Sequence, residues 1–491
     1  MKNILSFSRV KPYYLCRSAF STVLAAFIFF NIQGCSSGGN GNGPDPVTTV
    51  SSDNTLYSLT FNSEVNSGSG VTLSAYGVFG TNVVYVTVPE GADKTYLIPT
   101  VDINEKAKFY MDGNSAFSGV TATDFSKAVK LTVEAENGKR KDYYILVKNG
   151  NATIDKMVYN FMIKYSIPGM SCSVSKNEAL TYSYGYGYAN KDNHEMVYPN
   201  MLFRLASMSK QITTLCIMKL YEEGKIDLDR NVFGEGGYLA DEFGDNMPDK
   251  AKRVTLRNLL QHTSGWISDP DPMFTGDGRF YGKSLHDRIA YVLDNVPQTY
   301  EPGAHYSYYN LGFGMVGRII ETITGEDYET YVKEVVALAD CKDIHVGGDR
   351  EHRRENEVVY YSQSGTDGYG NPMTVIEAAG GIIASSVELM RLMACIDYGT
   401  VVPDMFEKST LDLMYTPCSV YPYYGLGWRV YHSAFKNWAA YHSGNLAGTA
   451  TIWMRGYNGV SCALLANSRS YIDGFDDAQY TLLYDIEEHF K

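Results

Sequence analysis

The chain has 491 residues, enough for two domains and a sizeable core, and 44% hydrophobic with 20% charged residues is ordinary for a globular protein. Its formal charge is −13, and residues 1–34 hold four bases (Lys2, Arg9, Lys11, Arg17) and no acid, so the remainder is more acidic still. Such a surface repels nucleic acid, and no basic run offers a contrary patch.

In chain order, the first bases are followed by an apolar stretch from Ala19 to Ile32. It is shorter than the roughly 20 residues a membrane span needs and fits the core of a secretory signal. Ile32-Gln33-Gly34-Cys35 resembles a bacterial lipobox, with Cys35 as the lipidated first residue of the mature protein, although Gln33 departs from the small residue usual there. The Ser/Gly/Asn/Pro-rich run from Ser36 to Pro46 suits a flexible tether. The expectation is a lipoprotein signal over 1–34, a tether over 35–54 and a cell-envelope location with a lipid anchor on Cys35. A plain secretory signal is the alternative.

From about Leu56 to Lys148 the pattern is β. Val83 to Val88 alternates, Val129 to Val133 is strand-like, and Tyr143 to Val147 follows a turn at Asn137-Gly138, a strong hairpin signal. Residues 55–150 are read as an N-terminal all-β sandwich that resembles the immunoglobulin-like modules preceding catalytic domains in bacterial surface lipoproteins. It holds no clustered nucleophile or ligand set, so a spacer role is favoured over carbohydrate binding. Residues 151–491 read as a mixed α+β domain. Strands at Met170–Val174, Leu180–Tyr188, Trp438–His442, Thr449–Met454 and Ser461–Ala466 frame a helical middle, and an amphipathic stretch from Asp476 to Phe490 closes the chain. Strands at both ends predict one antiparallel sheet assembled from the two termini. The cysteines beyond Cys35 (Cys172, Cys216, Cys341, Cys395, Cys418, Cys462) contain no CxxC pair and read as buried thiols, with a disulfide open and metal ligation unsupported.

Three short motifs carry chemistry, each weak alone. Ser-x-x-Lys occurs at Ser8, Ser173, Ser207 and Ser433; Tyr-x-Asn at Tyr188, Tyr198, Tyr308 and Tyr369; His-x-Gly at His345 and His442. Ser207 stands out because it follows the strand-like Leu202–Leu205 and opens an apolar helix with Ile212, Leu215, Cys216 and Leu220 on one face. Lys210 lies nearly one turn on, so both side chains can project together. A serine at a helix start also meets unpaired backbone N–H groups that stabilise developing negative charge. No Gly-x-Ser-x-Gly elbow occurs, which removes the α/β-hydrolase alternative.

Phe203 to Lys210 resembles the nucleophile segment of the class C β-lactamase and penicillin-binding-protein family. Leu259-Leu260-Gln261-His262-Thr263-Ser264-Gly265 resembles its His-Thr-Ser-Gly segment, and Pro302-Gly303 through Tyr308-Tyr309-Asn310-Leu311-Gly312 its Tyr-x-Asn segment. Ala379-Gly380-Gly381, Tyr424-Gly425-Leu426-Gly427-Trp428 and His442-Ser443-Gly444 follow in family order. The resemblance covers roughly residues 152 to 490 and implies a β-lactamase/transpeptidase-like fold, an antiparallel sheet flanked by helices plus an all-helical part. It also implies a serine hydrolase without metal or organic cofactor. Ser207 would be the nucleophile, and Lys210 and Tyr308 the coupled base, with the order of proton transfer open. Asn310, His442, Gly444 and Asn445 would bind substrate, the N–H groups of Ser207 and Asn445 forming the oxyanion hole. His262 would be a packing residue.

One departure narrows the partner, a small-molecule or peptide acyl substrate. Many penicillin-recognising members have Lys-Thr-Gly at the third motif, the lysine attracting a carboxylate. His442 stands there instead, mostly neutral at pH 7. The expectation tilts toward a small ester, amide or D-amino-acid peptide. A β-lactamase or D-alanyl-D-alanine carboxypeptidase is the enzyme alternative, and an inactive binding lipoprotein of the same fold the non-enzyme one.

Overall fold

The computed structural model describes residues 50–72, 74–79, 82–193, 195–267, 271–273, 279–431 and 438–491. The signal segment and Cys35 lie outside the described residues, as do Ser8, Lys11, Ser433 and Lys436. Ser51–Lys491 forms one compact unit.

Residues 51–149 fold into two sheets around a core of their own that includes Phe61, Val86, Phe125, Leu131 and Ile145. The Asn137-Gly138 turn joins strands Val129–Glu134 and Arg140–Asn149 as an antiparallel hairpin, with Gly138 at φ +83°, where a side chain would be strained. One pairing departs from a simple meander: Val83–Val88 runs parallel to Arg140–Asn149.

The next strands build a seven-stranded sheet in the order Glu195–Met196, Ala179–Asn190, Gly169–Lys176, Val460–Ala466, Thr449–Gly456, Trp438–Leu446, Arg429–Val430. Every pairing is antiparallel, so the two ends of the region meet at its centre, as their strand patterns predicted. Side chains alternate between faces. Val460, Cys462, Leu464 and Ala466 join Ile154, Val158, Met162 and Leu483 on one side, while Ala463 and Leu465 join the helical core on the other. All six cysteines from Cys172 onward are buried free thiols.

The helix Ala152–Tyr165 follows the β region after only two residues. Asn151 caps it by accepting from the N–H groups of Thr153 and Ile154. Its buried Asp155 ties the two regions together: the carboxylate accepts from Thr87 Oγ1 (2.7 Å), Tyr182 Oη (2.5 Å) and Tyr186 Oη (2.9 Å), and pairs with Lys148 Nζ (2.6 Å). Tyr85 stacks on Tyr159 beside it at 4.0 Å. Burial pushes the Lys148 ammonium down to about 8 against the pull of Asp155. Removing the carboxylate strands a buried cation and three hydroxyls. Asp155→Ala is therefore expected to cost about 3–5 kcal/mol, read as a lower midpoint in urea unfolding. The β region is thus docked on its neighbour through a buried ion pair and a ring stack.

Candidate active site

The strand Phe203–Arg204 pairs with Ile382–Ala384. Arg204 pins it, donating to the carbonyls of Gly368 (2.6 Å) and Gly348 (3.0 Å) between the rings of Tyr360 and Tyr369. The chain then turns sharply. Ala206 has φ +51°, a left-handed conformation that costs an alanine roughly 1–2 kcal/mol. Ala206–Met208 forms a 3₁₀ turn that leads into the helix Ser209–Glu222. From Met201 to Met218 every residue is buried except Ser207, which is half-buried. The strained turn thus lifts one hydroxyl out of an otherwise closed segment.

Lys210 is fully buried beneath it. Its Nζ donates to Ser207 Oγ (3.3 Å), Asn310 Oδ1 (2.8 Å) and the Ala379 carbonyl (2.6 Å). That carbonyl is available because Glu377–Gly381 is wound as a π-turn, which leaves carbonyls outside the usual helical ladder. Burial pushes the Lys210 ammonium down to about 7; Asp271 holds it up in part and Arg429 lowers it further. An amine so placed is neutral in part at physiological pH and can accept a proton.

Asn310 begins the helix Asn310–Thr324. Its Nδ2 donates to Asp271 Oδ2 (2.6 Å), which leaves Oδ1 facing Lys210. Tyr308, two residues earlier, is half-buried with its hydroxyl buried and its ring centre 5.0 Å from Lys210 Nζ. Burial raises its phenol well above the usual range, and the nearby Ser207 hydroxyl and Arg429 draw it partly back. The phenol makes no well-formed hydrogen bond among the described residues.

His442, Gly444 and Asn445 lie on the strand Trp438–Leu446. Gly444 must lack a side chain, since a Cβ there would overlap the Leu205 carbonyl just before the turn that carries Ser207. His442 is buried with both ring nitrogens engaged: Nδ1 to the Ser443 carbonyl (2.7 Å) and Nε2 to Tyr424 Oη (3.1 Å). Burial holds it well below the usual imidazole range, with Arg429 and Lys210 adding to the effect. It therefore has no ring nitrogen left for a substrate. Asn445 has a buried amide oxygen without a partner among the described residues.

The structure thus joins Ser207, Lys210 and Asn310 by hydrogen bonds, packs Tyr308 on Lys210 and sets Gly444 against the turn that carries Ser207. Sequence reasoning missed Asp271, whose one signal is its place between Pro270 and Pro272 just beyond His262–Gly265. It also missed Arg429, directly after Tyr424–Trp428. This half-buried arginine lies within electrostatic reach of Tyr306, Tyr424, Tyr441 and Tyr480, and its Nε has no hydrogen-bond partner among the described residues.

The family model described as Beta-lactamase matches residues 154–485. The chain belongs to the Beta-lactamase family. Within it, the match takes in every residue of the Ser207 cluster. A second model, SGBP, N-terminal, matches residues 80–147, inside the β region. "Protein flp" of Staphylococcus aureus (strain N315) is 28% identical over 189 residues, 38% of this chain and 36% of that protein. The match thus spans about a third of that curated relative's length. Two solved structures share the fold of this Beta-lactamase family chain. The octameric penicillin-binding protein homologue from Pyrococcus abyssi has a TM-score of 0.57 at 23% identity, over 69% of this chain and 77% of that one. The D-amino acid amidase from Ochrobactrum anthropi SV3 has a TM-score of 0.55 at 22% identity, over 70% and 100%.

Proposed function

We propose that the protein is a serine hydrolase that forms an acyl-enzyme on Ser207 and hydrolyses a small ester, amide or D-amino-acid peptide, anchored at the cell envelope through Cys35. The observation that carries this reading is the buried Lys210, bonded at 3.3 Å to the single half-open hydroxyl of its segment. In the first half-reaction Ser207 Oγ attacks the acyl carbon while its proton passes to neutral Lys210, directly or by way of Tyr308. The same groups return that proton to the leaving alcohol or amine as the acyl bond breaks. Water then attacks the Ser207 ester with the set again acting as base, which restores the serine. Backbone N–H groups of Ser207 and Asn445 would hold the oxyanion.

Intact-mass detection of a fluorophosphonate adduct on Ser207 tests the nucleophile. A panel of a nitrophenyl ester, a D-amino-acid amide, a D-alanyl-D-alanine peptide and a chromogenic cephalosporin tests the substrate. The D-amino acid amidase among its structural neighbours makes the amide the first to try. Absence of any adduct in folded protein would instead favour a binding lipoprotein.

A second reading, the carboxypeptidase or β-lactamase, gains support from Arg429. A guanidinium among tyrosines, with no carboxylate partner among the described residues, suits a substrate carboxylate and offers the charge that His442 lacks. On this reading Arg429→Ala is expected to raise KM at least about tenfold on the D-alanyl-D-alanine peptide, the loss of one charge-assisted contact, and far less on the neutral ester. Equal changes on both substrates would reject the carboxylate role.

A further inference from the structure

His262 and Tyr424 form a bonded system around the base. The His262 backbone carbonyl accepts from the Ser307 N–H (2.8 Å), and its Nδ1 accepts from the Tyr309 N–H (3.1 Å). The chain is thus held on both sides of Tyr308. The His262 ring also packs on the Tyr308 ring, with centres 4.3 Å apart. His262 itself sits at φ +56°, a left-handed conformation uncommon for residues other than glycine.

The hydrogen-bond directions in this system follow from chemistry. A backbone N–H can only donate, so Nδ1 of His262 is bare, and the neutral ring carries its proton on Nε2. That Nε2 lies 3.1 Å from Tyr424 Oη and donates to it. Across the site, a backbone carbonyl can only accept, so Nδ1 of His442 carries the proton toward the Ser443 oxygen. Its Nε2 is then bare and accepts from the Tyr424 hydroxyl. The chain therefore runs one way, from His262 through Tyr424 to His442, with the two histidines in opposite tautomers.

We propose that His262 and Tyr424 are positioning residues: His262 clamps Tyr308 from both sides, and Tyr424 fastens that clamp to His442 on the strand bordering Ser207. The role follows from what Tyr308 lacks. Its hydroxyl is buried without a well-formed hydrogen bond among the described residues, so this surrounding frame holds the ring near Ser207. The role in turnover rests on the serine-hydrolase reading above; the tautomers do not.

Three variants test it: His262→Ala removes the ring, His262→Asn keeps an acceptor in place of Nδ1, and Tyr424→Phe breaks the chain while keeping its ring. A misplaced base costs on the order of 100-fold in rate. That loss is expected in kcat on the nitrophenyl ester for His262→Ala, with KM within about threefold and most of the loss recovered in His262→Asn. Equal losses in the two His262 variants, or a loss confined to KM, would overturn the clamp. A second measurement needs no turnover. Nitrogen–proton correlation spectra of the imidazoles are expected to show protonated Nε2 on His262 and protonated Nδ1 on His442, with both sets shifted in Tyr424→Phe. The same tautomer on both rings would overturn the chain, even where His262→Ala fails to fold. Opposite tautomers in a protein that never acquires a fluorophosphonate adduct would uphold the chain and reject the hydrolase reading.

Discussion

Replacement of Ser207 by alanine is expected to lower kcat by roughly 10⁵-fold or more and to abolish the fluorophosphonate adduct, while leaving the fold intact. The loss is large because the surrounding groups act on this one oxygen: Lys210 donates to it, and Tyr308 is packed beside Lys210. Without Oγ no acyl-enzyme can form, and what remains is binding and oxyanion stabilisation. The fold is expected to persist because the turn is held from elsewhere. Arg204 anchors the preceding strand, Thr451 Oγ1 donates to the Leu205 carbonyl (2.8 Å), and the half-buried Ser207 side chain fills little of the core. Thermal unfolding of the variant checks the second half of the claim. Turnover or labelling that survives in Ser207→Ala would move the nucleophile elsewhere.

The second large effect is on pH. Burial pushes the Lys210 ammonium from the ordinary lysine value of 10.5 down to about 7, so its neutral, proton-accepting form dominates only above about pH 7. With Lys210 in the base, kcat/KM is expected to fall about tenfold per pH unit below that point and to level off above it. Stability follows the same group with a defined sign. Between pH 7 and 10.5 the unfolded chain holds a proton on Lys210 that the native state has released, so stability rises with pH across that window. Below pH 7 both states are protonated and the penalty of burying the charge is complete. A shift from 10.5 to about 7 corresponds to about 5 kcal/mol, at 1.36 kcal/mol for each unit. Lys210→Met is expected to flatten this part of the stability profile and to remove activity at every pH. An acid limb that persists unchanged in a still active Lys210→Met variant would assign the titration to another group.

How much of this was legible can be judged from the competing motifs. Ser173 and Lys176 have the same spacing as Ser207 and Lys210, yet they lie on a strand. There Ser173 Oγ is bonded to Ser183 and Ser386, and Lys176 Nζ donates to the carbonyl of Lys491. Local pattern separated the two segments as strand and helix, because a hydrophobic helix face repeats every three to four residues and a strand every two. Tyr308 was distinguished from the other Tyr-x-Asn tyrosines only by its neighbours in family order. The turn that leaves Ser207 half-buried, and the strain at Ala206 that creates it, left no mark in composition. His442 was expected to meet substrate, whereas its ring nitrogens are taken up by Tyr424 and Ser443.

The sequence by itself determined the segment types: an N-terminal β region, a terminal-strand sheet, an apolar helix behind Ser207 and the order of the family's motifs. These depend on periodicity and on residues a few positions apart, where local sterics and solvent contrast decide the outcome. Only the tertiary structure decided which groups share the site. Asp271 reaches Asn310, the Ala379 carbonyl reaches Lys210, Arg429 enters beside the tyrosines, and Tyr424 bridges two histidines 180 residues apart. Such bonds depend on distances of about 3 Å between distant segments, set by how the sheet, helices and π-turn pack together.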